Sequence, residues 1–387
     1  MEQSRTHKAT KKPGRPPFDC IALVLQGGGA LGAYQPGVYQ ALAEADLHPD
    51  WVAGISIGAI NAALIAGTAP DGRVAKLEEF WSGVTAPLPW QWADHFPASL
   101  IKGDAARNFV NQVSAIDALT MGVPGFFTPR LPPPWLSPAG SIEATSYYDT
   151  SALKATLERL VDFDRLNSGE MRFSVGAVNV TSGNFTYFDS SERTIRAEHI
   201  LASCALPPGF PAVEIDGEYF WDGGLVSNTP LQWVLQHGPR QDTLAFQVDL
   251  WSARGDFPGT LANVSTRQKE IMYSSRTREN VDQFKQTQCI RHAVAKLLGN
   301  LPADLAHNED IEFLKTYGDS KVYSIIHLIC RSQRYEGESK DYEFSRLSME
   351  ERWNAGYNDA IRTLRTPGVL DRPTTIDGIS TFDIGDS

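Results

Sequence analysis

The chain has 387 residues, 42% of them hydrophobic and 21% charged, an ordinary globular mixture with material for a large buried core. At roughly 100–200 residues per domain, one to three domains are expected. Lysine and arginine number 35 against 46 acidic residues, and the net charge of −11 repels a phosphate backbone, which argues against nucleic acid as a partner.

The four cysteines, Cys20, Cys204, Cys289 and Cys330, form neither a CxxC pair nor a Cys/His cluster. That spacing argues against a zinc site and a disulfide framework, and reduced thiols in a cytoplasmic protein are the expectation. Residues 1–18 are basic and proline-containing, with Arg5, Lys8, Lys11, Lys12 and Arg15 beside Pro13, Pro16 and Pro17. A solvated, disordered tail is the simplest reading, and contact with an anionic membrane is the alternative. The apolar run behind it is too short for a signal peptide, and no segment approaches the roughly 20 apolar residues of a membrane span.

Ile21 to Leu25 is a short apolar run that stops at Gly27-Gly28-Gly29, as a fully buried strand would. Residues 33–45 carry Tyr34, Val38, Leu42 and Ala45 at helical spacing. Trp51 to Ile55 reads as a second strand, and Ile57 to Ala66, small and apolar on all sides, as a buried helix. Strand, helix, strand, helix implies a parallel sheet covered by helices.

The stretch 86–148 is rich in Pro, Trp and Phe, and proline at that density argues against regular helix or central strand. A lid or binding loop and a structural wrap over the sheet edge both fit. Order returns with a helix near 149–160, strands at 171–180 and 184–189, and a hairpin over 213–220 turned by Asp216-Gly217. A helix near 229–237 and a strand at 243–251 follow. Beyond 252, residues 260–298 are polar and helix-prone, 321–330 reads as a strand and 345–364 as an amphipathic helix. The Pro- and Gly-containing tail from 366 is expected to fray. The sequence holds no internal repeats.

Gly54-Ile55-Ser56-Ile57-Gly58 fits G-x-S-x-G, in which a serine occupies a strained turn between strand and helix and the flanking glycines relieve the crowding. The positive end of the following helix favours negative charge developing at Ser56. Gly27-Gly28-Gly29-Ala30-Leu31-Gly32 joins the first strand to the first helix, and its free amides can converge on a phosphate or a reaction oxyanion. These residues also match G-x-G-x-x-G, so a dinucleotide-binding oxidoreductase is a rival. That fold needs an acid at the end of the second strand, where this chain has Ser56. Asp222-Gly223-Gly224 ends the strand Tyr219-Phe220-Trp221 and presents a carboxylate there; an ordinary Asp-Gly turn is the plainer account of those residues taken alone.

The ordered set of glycine loop, serine elbow and Asp-Gly-Gly resembles the patatin-like phospholipase family. Ala202-Ser203-Cys204-Ala205-Leu206-Pro207-Pro208-Gly209-Phe210-Pro211 resembles its block upstream of the aspartate. The resemblance covers about residues 20–250. It implies an α/β/α three-layer fold on a mainly parallel sheet, hydrolysis of acyl esters, and a Ser–Asp site with no catalytic histidine. Carried onto this chain, Ser56 is the nucleophile and Asp222 its base. Gly28 and Gly29 amides are the oxyanion donors with Gly27 shaping the turn, and Gly32, Gly54, Gly58, Gly223 and Gly224 support the motifs. No metal or organic cofactor is implied, and the expected partner is a lipid or other acyl ester, with peripheral contact at the inner membrane face as a further expectation. The domains expected are a basic tail (1–18), a hydrolase domain (19–251) containing the 86–148 insertion, and a mixed α/β C-terminal extension (252–387) needed for solubility or assembly and not for chemistry. Many relatives carry a cation where this chain has Leu31, so a preference for neutral esters over phospholipids is expected. A lipid-binding or regulatory protein without catalysis is the competing class.

Overall fold

The structure is a computed structural model that describes residues 15–85, 103–238, 240–274, 277–302, 309–331, 336–375 and 377–383. Most of the basic tail and the first part of the 86–148 insertion therefore lie outside the described residues.

The elements run β1 (Cys20–Leu25), α1 (Tyr34–Glu44), β2 (Trp51–Gly54), α2 (Ile57–Ala66), α3 (Arg73–Val84) and α4 (Asp104–Met121). Next come the two-residue strands β3 (Thr128–Pro129) and β4 (Tyr148–Asp149), then α5 (Ser151–Leu160) and α6 (Phe163–Leu166). The middle of the chain forms β5 (Arg172–Asn179), β6 (Phe185–Asp189), α7 (Ala197–Ser203), β7 (Val213–Ile215) and β8 (Glu218–Asp222). It ends with α8 (Leu231–Gln236), β9 (Thr243–Asp249), α9 (Leu261–Tyr273), α10 (Thr277–Gly299), α11 (Glu309–Tyr317), β10 (Tyr323–Ile329), α12 (Arg346–Leu364) and β11 (Ile379–Asp383).

Nine strands form one sheet in the order β11-β10-β9-β1-β2-β5-β8-β7, with β6 also pairing β5. From β11 through β5 every pairing is parallel, whereas β6, β7 and β8 add antiparallel strands at one side. β1 lies between β2 and β9, and all six of its residues are buried, which is why it reads as an unbroken apolar run. Its side chains alternate between faces. Ile21, Leu23 and Leu25 join the larger core, shared with α1, α2 and α3; Cys20, Ala22 and Val24 join a second core with Leu231 and Val234 of α8 and Val281 and Phe284 of α10. Helices thus cover both faces of the sheet.

Two local expectations are overturned. The proline-rich insertion contains an 18-residue helix, α4. Its sequence holds neither Pro nor Gly; Gly103 precedes it, Gly122 at φ +84 ends it, and the nearest prolines on either side are Pro97 and Pro124. Segment-wide proline content conceals a helix that the residue-by-residue sequence permits. The tail does not fray throughout: Ile379–Asp383 pairs in parallel with β10, with Ile379 opposite Tyr323. Residues 252–387 are built into the central sheet through β10 and β11.

Candidate active site

Parallel strands running the same way bring the loops at their C-terminal ends to one edge of the sheet. The glycine loop after β1 and the Ser56 elbow after β2 both sit there. Ser56 has φ +54 and ψ −126, a conformation that is costly for a residue with a Cβ. The surroundings enforce it. A Cβ on Gly54 would strike the carbonyl oxygen of Gly58, and one on Gly58 would strike that of Leu25. Only glycine lets the chain turn this tightly from β2 into α2. The Ser56 amide donates to Ser203 Oγ at 2.9 Å, and Ser203 is fully buried at the end of α7.

Asp222 ends β8, 166 residues along the chain from Ser56, and its Oδ2 accepts the Ser56 hydroxyl at 2.7 Å. The other oxygen, Oδ1, accepts the Gly224 amide at 2.7 Å, so the carboxylate is held from both sides. Only 2% of Asp222 is exposed. Burial pushes its carboxyl up to about 7, outweighing the lowering effects of the Ser56 and Gly224 hydrogen bonds.

The glycine loop is fixed by buried amide and indole side chains. Asn228 Nδ2 and Trp251 Nε1 both donate to the Gly27 carbonyl, at 3.0 and 3.1 Å. Gln35 Nε2 donates to the Gln26 carbonyl at 2.7 Å, and Asn61 Nδ2 to the Gly32 carbonyl at 3.1 Å. The Gly27 amide bonds to the Asn228 carbonyl and the Ala30 amide to that of Asp341. Among the described residues, the Gly28 and Gly29 amides have no protein acceptor. Gly29 takes φ +55.

Gly27, Gly28, Gly29, Ser56, Asp222 and Gly224 line one cavity of about 310 Å³. Its far wall is aromatic. Phe126 and Phe127 from the insertion, Tyr148 of β4, Phe210 and Phe344 pack ring against ring, with centroids 4.8–6.5 Å apart. Gly32, Gly54, Gly58 and Gly223 are not in the lining; they permit close backbone approach behind it. Leu31 also falls elsewhere. It is 1% exposed and belongs to the main core, so it does not occupy a head-group position and the substrate preference expected from it loses its basis. Sequence reading missed Asn228, Ser203, Tyr273 and the 341–344 stretch at this site; Ser203 lay in a quoted motif, but the others carry no local signal.

No histidine among the described residues lines the cavity. His199 accepts the Arg196 amide and packs on Phe188, His237 stacks on Trp233, and His292 bonds the Lys321 carbonyl. His307 lies outside the described residues. No group of His, Cys, Asp or Glu among the described residues could hold a metal ion, and no described helix is long and apolar enough to cross a membrane.

Fold and site together define the class: an α/β/α protein with a serine elbow and a buried carboxylate meeting at the edge of an apolar cavity. The chain belongs to the patatin-like phospholipase family, whose profile matches residues 23–235. A second profile, described as patatin phospholipase, matches residues 271–375. Relatives include patatin-like phospholipase domain-containing protein 7 of Rattus norvegicus, 52% identical over 64 residues, which is 16% of this chain and 5% of the relative. Lysophospholipase nte1 of Aspergillus terreus is 54% identical over 46 residues, 12% of this chain and 3% of the relative. The chain thus matches a small part of the length of these relatives. Among solved structures, VipD from Legionella pneumophila aligns over 94% of this chain and 72% of its own, at 14% identity and a TM-score of 0.37. ExoU of Pseudomonas aeruginosa, solved in complex with SpcU, aligns over 79% and 68%, at 15% identity and 0.29. The dinucleotide reading is set aside on the family match, and β2 runs into Ser56 where a ribose-binding acid would stand.

Proposed function

We propose that the protein hydrolyses lipid acyl esters, with Ser56 as nucleophile and Asp222 as the general base. The 2.7 Å hydrogen bond from the Ser56 hydroxyl to a buried carboxylate carries this reading. An ordinary carboxylate, with a pKa near 4, is a poor acceptor for a hydroxyl proton; one raised to about 7 is better matched to the task at neutral pH. Asp222 takes the Ser56 proton as Oγ bonds to the ester carbonyl carbon. The carbonyl oxygen becomes an oxyanion, which the Gly28 and Gly29 amides receive, with the dipole of α2 behind the serine. Collapse breaks the bond to the alcohol, which leaves with the proton held by Asp222. Water then gives a proton to Asp222 and attacks the acyl-enzyme; as Ser56 leaves it regains that proton, releasing the acid.

The aromatic wall gives an acyl chain an apolar place to lie. Contact with a lipid surface belongs to the same reading. From Leu131 to Ile142 twelve consecutive residues carry no charge, and Leu131, Trp135 and Leu136 are 90%, 74% and 68% exposed. The loop's base is tied to the cavity wall by the Tyr147 and Tyr148 amides, which donate to the Pro208 and Gly209 carbonyls.

A fluorophosphonate probe tests the central claim. It is expected to label wild-type protein at Ser56, and Ser56→Ala is expected to be neither labelled nor active on a panel of aryl esters, acylglycerols and lysophospholipids. A folded wild type that is unlabelled and inert across the panel would favour a lipid-binding protein without catalysis.

A further inference from the structure

We propose that the turn at 336–344, far from the glycine loop in sequence, is a positioning element for that loop. The proposal rests on the loop's reading as the oxyanion-binding element. The Asp341 carbonyl accepts the Ala30 amide at 2.8 Å. The same carbonyl lies against Gly29, where a Cβ would collide with it. One backbone oxygen therefore satisfies one loop amide and sets the height of the next residue. Gly28 and Gly29 both line the cavity.

The turn is itself braced by charge pairs. Lys340 Nζ lies 2.7 Å from Glu270 of α9, with only 2% of the lysine side chain exposed. Lys269 Nζ lies 3.0 Å from Asp341 and donates to the Glu338 carbonyl at 3.1 Å. On the other side, Arg352 of α12 pairs with Glu336 at 3.1 Å and approaches Glu343 at 4.0 Å. Lys340 Nζ also stands 5.1 Å from the ring centre of Trp251, whose Nε1 bonds the Gly27 carbonyl. A second tie comes from the end of α9: the Tyr273 carbonyl accepts Asn228 Nδ2 at 2.8 Å, and Asn228 holds Gly27.

Buried charge pairs contribute little net stability compared with well-packed apolar side chains, because desolvation offsets their attraction. They do restrict geometry. An oxyanion site depends on donors already in place before charge develops, and misplacement by about 1 Å can cost on the order of a hundred-fold in rate. Seven charged residues paired on one short turn, four of its own and three packed against it, are accounted for by a positional requirement of the loop it touches.

The test uses the full chain and a soluble aryl ester. The variants are Lys340→Met combined with Glu270→Gln, Lys340→Arg, and Lys269→Met, which removes the more exposed brace. Folding is followed by the cooperativity of the melt. The double variant is expected to lose about ten- to a hundred-fold in kcat and in the rate of fluorophosphonate labelling, with KM within about two-fold of wild type. Lys340→Arg, which keeps the pair, should recover most of the loss, and Lys269→Met should show a smaller fall of the same kind. Should the double variant fail to fold, Lys269→Met carries the decision. A folded variant with wild-type kcat and labelling rate, or a loss confined to KM, overturns the proposal. If the wild type itself neither labels nor turns over ester, the functional reading has failed instead.

Discussion

Asp222 Oδ2 and Ser56 Oγ stand 2.7 Å apart although they end strands of opposite sense, β8 being antiparallel to β5 and β2 parallel to it. The carboxylate that results is buried at the cavity wall, and its folded pKa of about 7 lies well above the ordinary carboxylate value.

That shift predicts opposite pH trends for activity and stability. The base must be ionised, so kcat/KM on a soluble ester should rise with pH and level off above an apparent pKa near 7. Stability should move the other way. The folded protein holds the Asp222 proton more tightly than the unfolded chain, so this contribution is complete below about pH 4 and is lost as pH rises through about 7, by on the order of 4 kcal/mol at most. Asp222→Asn should therefore be inactive yet melt at a higher temperature than wild type at pH 8, with the gap narrowing to about a third by pH 5. Melting curves at the two pH values check it; a gap independent of pH would mean that Asp222 is not ionising in the folded protein.

A second prediction separates this site from a Ser-His-Asp triad. Replacing His199, His237, His292 or His327 singly by Gln should leave kcat/KM within a few-fold of wild type, since none of the four lines the cavity. His199 and His327 are held neutral by burial, which lowers the pKa of both, and their loss should register in the melting temperature before it registers in turnover. A folded variant that loses about a thousand-fold would establish a histidine in the mechanism.

The third prediction concerns Leu31. Because the side chain is buried in the main core, Leu31→Arg should not tune head-group preference; it should destabilise the fold by several kcal/mol, since an unpaired charge would be placed among apolar groups. Solubility on expression and the melting temperature report this directly. A stable Leu31→Arg protein with altered preference for anionic lipids would return the residue to the substrate site.

The sequence by itself determined the strands of the main sheet apart from β11, and the three glycine motifs, because their demands are local. Gly54 and Gly58 are dictated by how closely β2 must turn into α2, and Asp216-Gly217 by a hairpin whose two turn residues both have positive φ. Local demands leave a local record. The α4 helix was hidden only by the prolines that flank it. What only the tertiary structure decided is which of these pieces meet. The approach of Asp222 to Ser56, the Ser203 hydroxyl beneath the elbow, the burial of Leu31 and the Asp341 carbonyl on Gly29 all join residues distant in the chain or turn a helical face inward. A carbonyl supplied by Asp341, far from Gly29 in the chain, has no side-chain signature, because every residue carries one; only packing β9, β10 and α12 against the first half of the chain brings that particular carbonyl to the glycine loop.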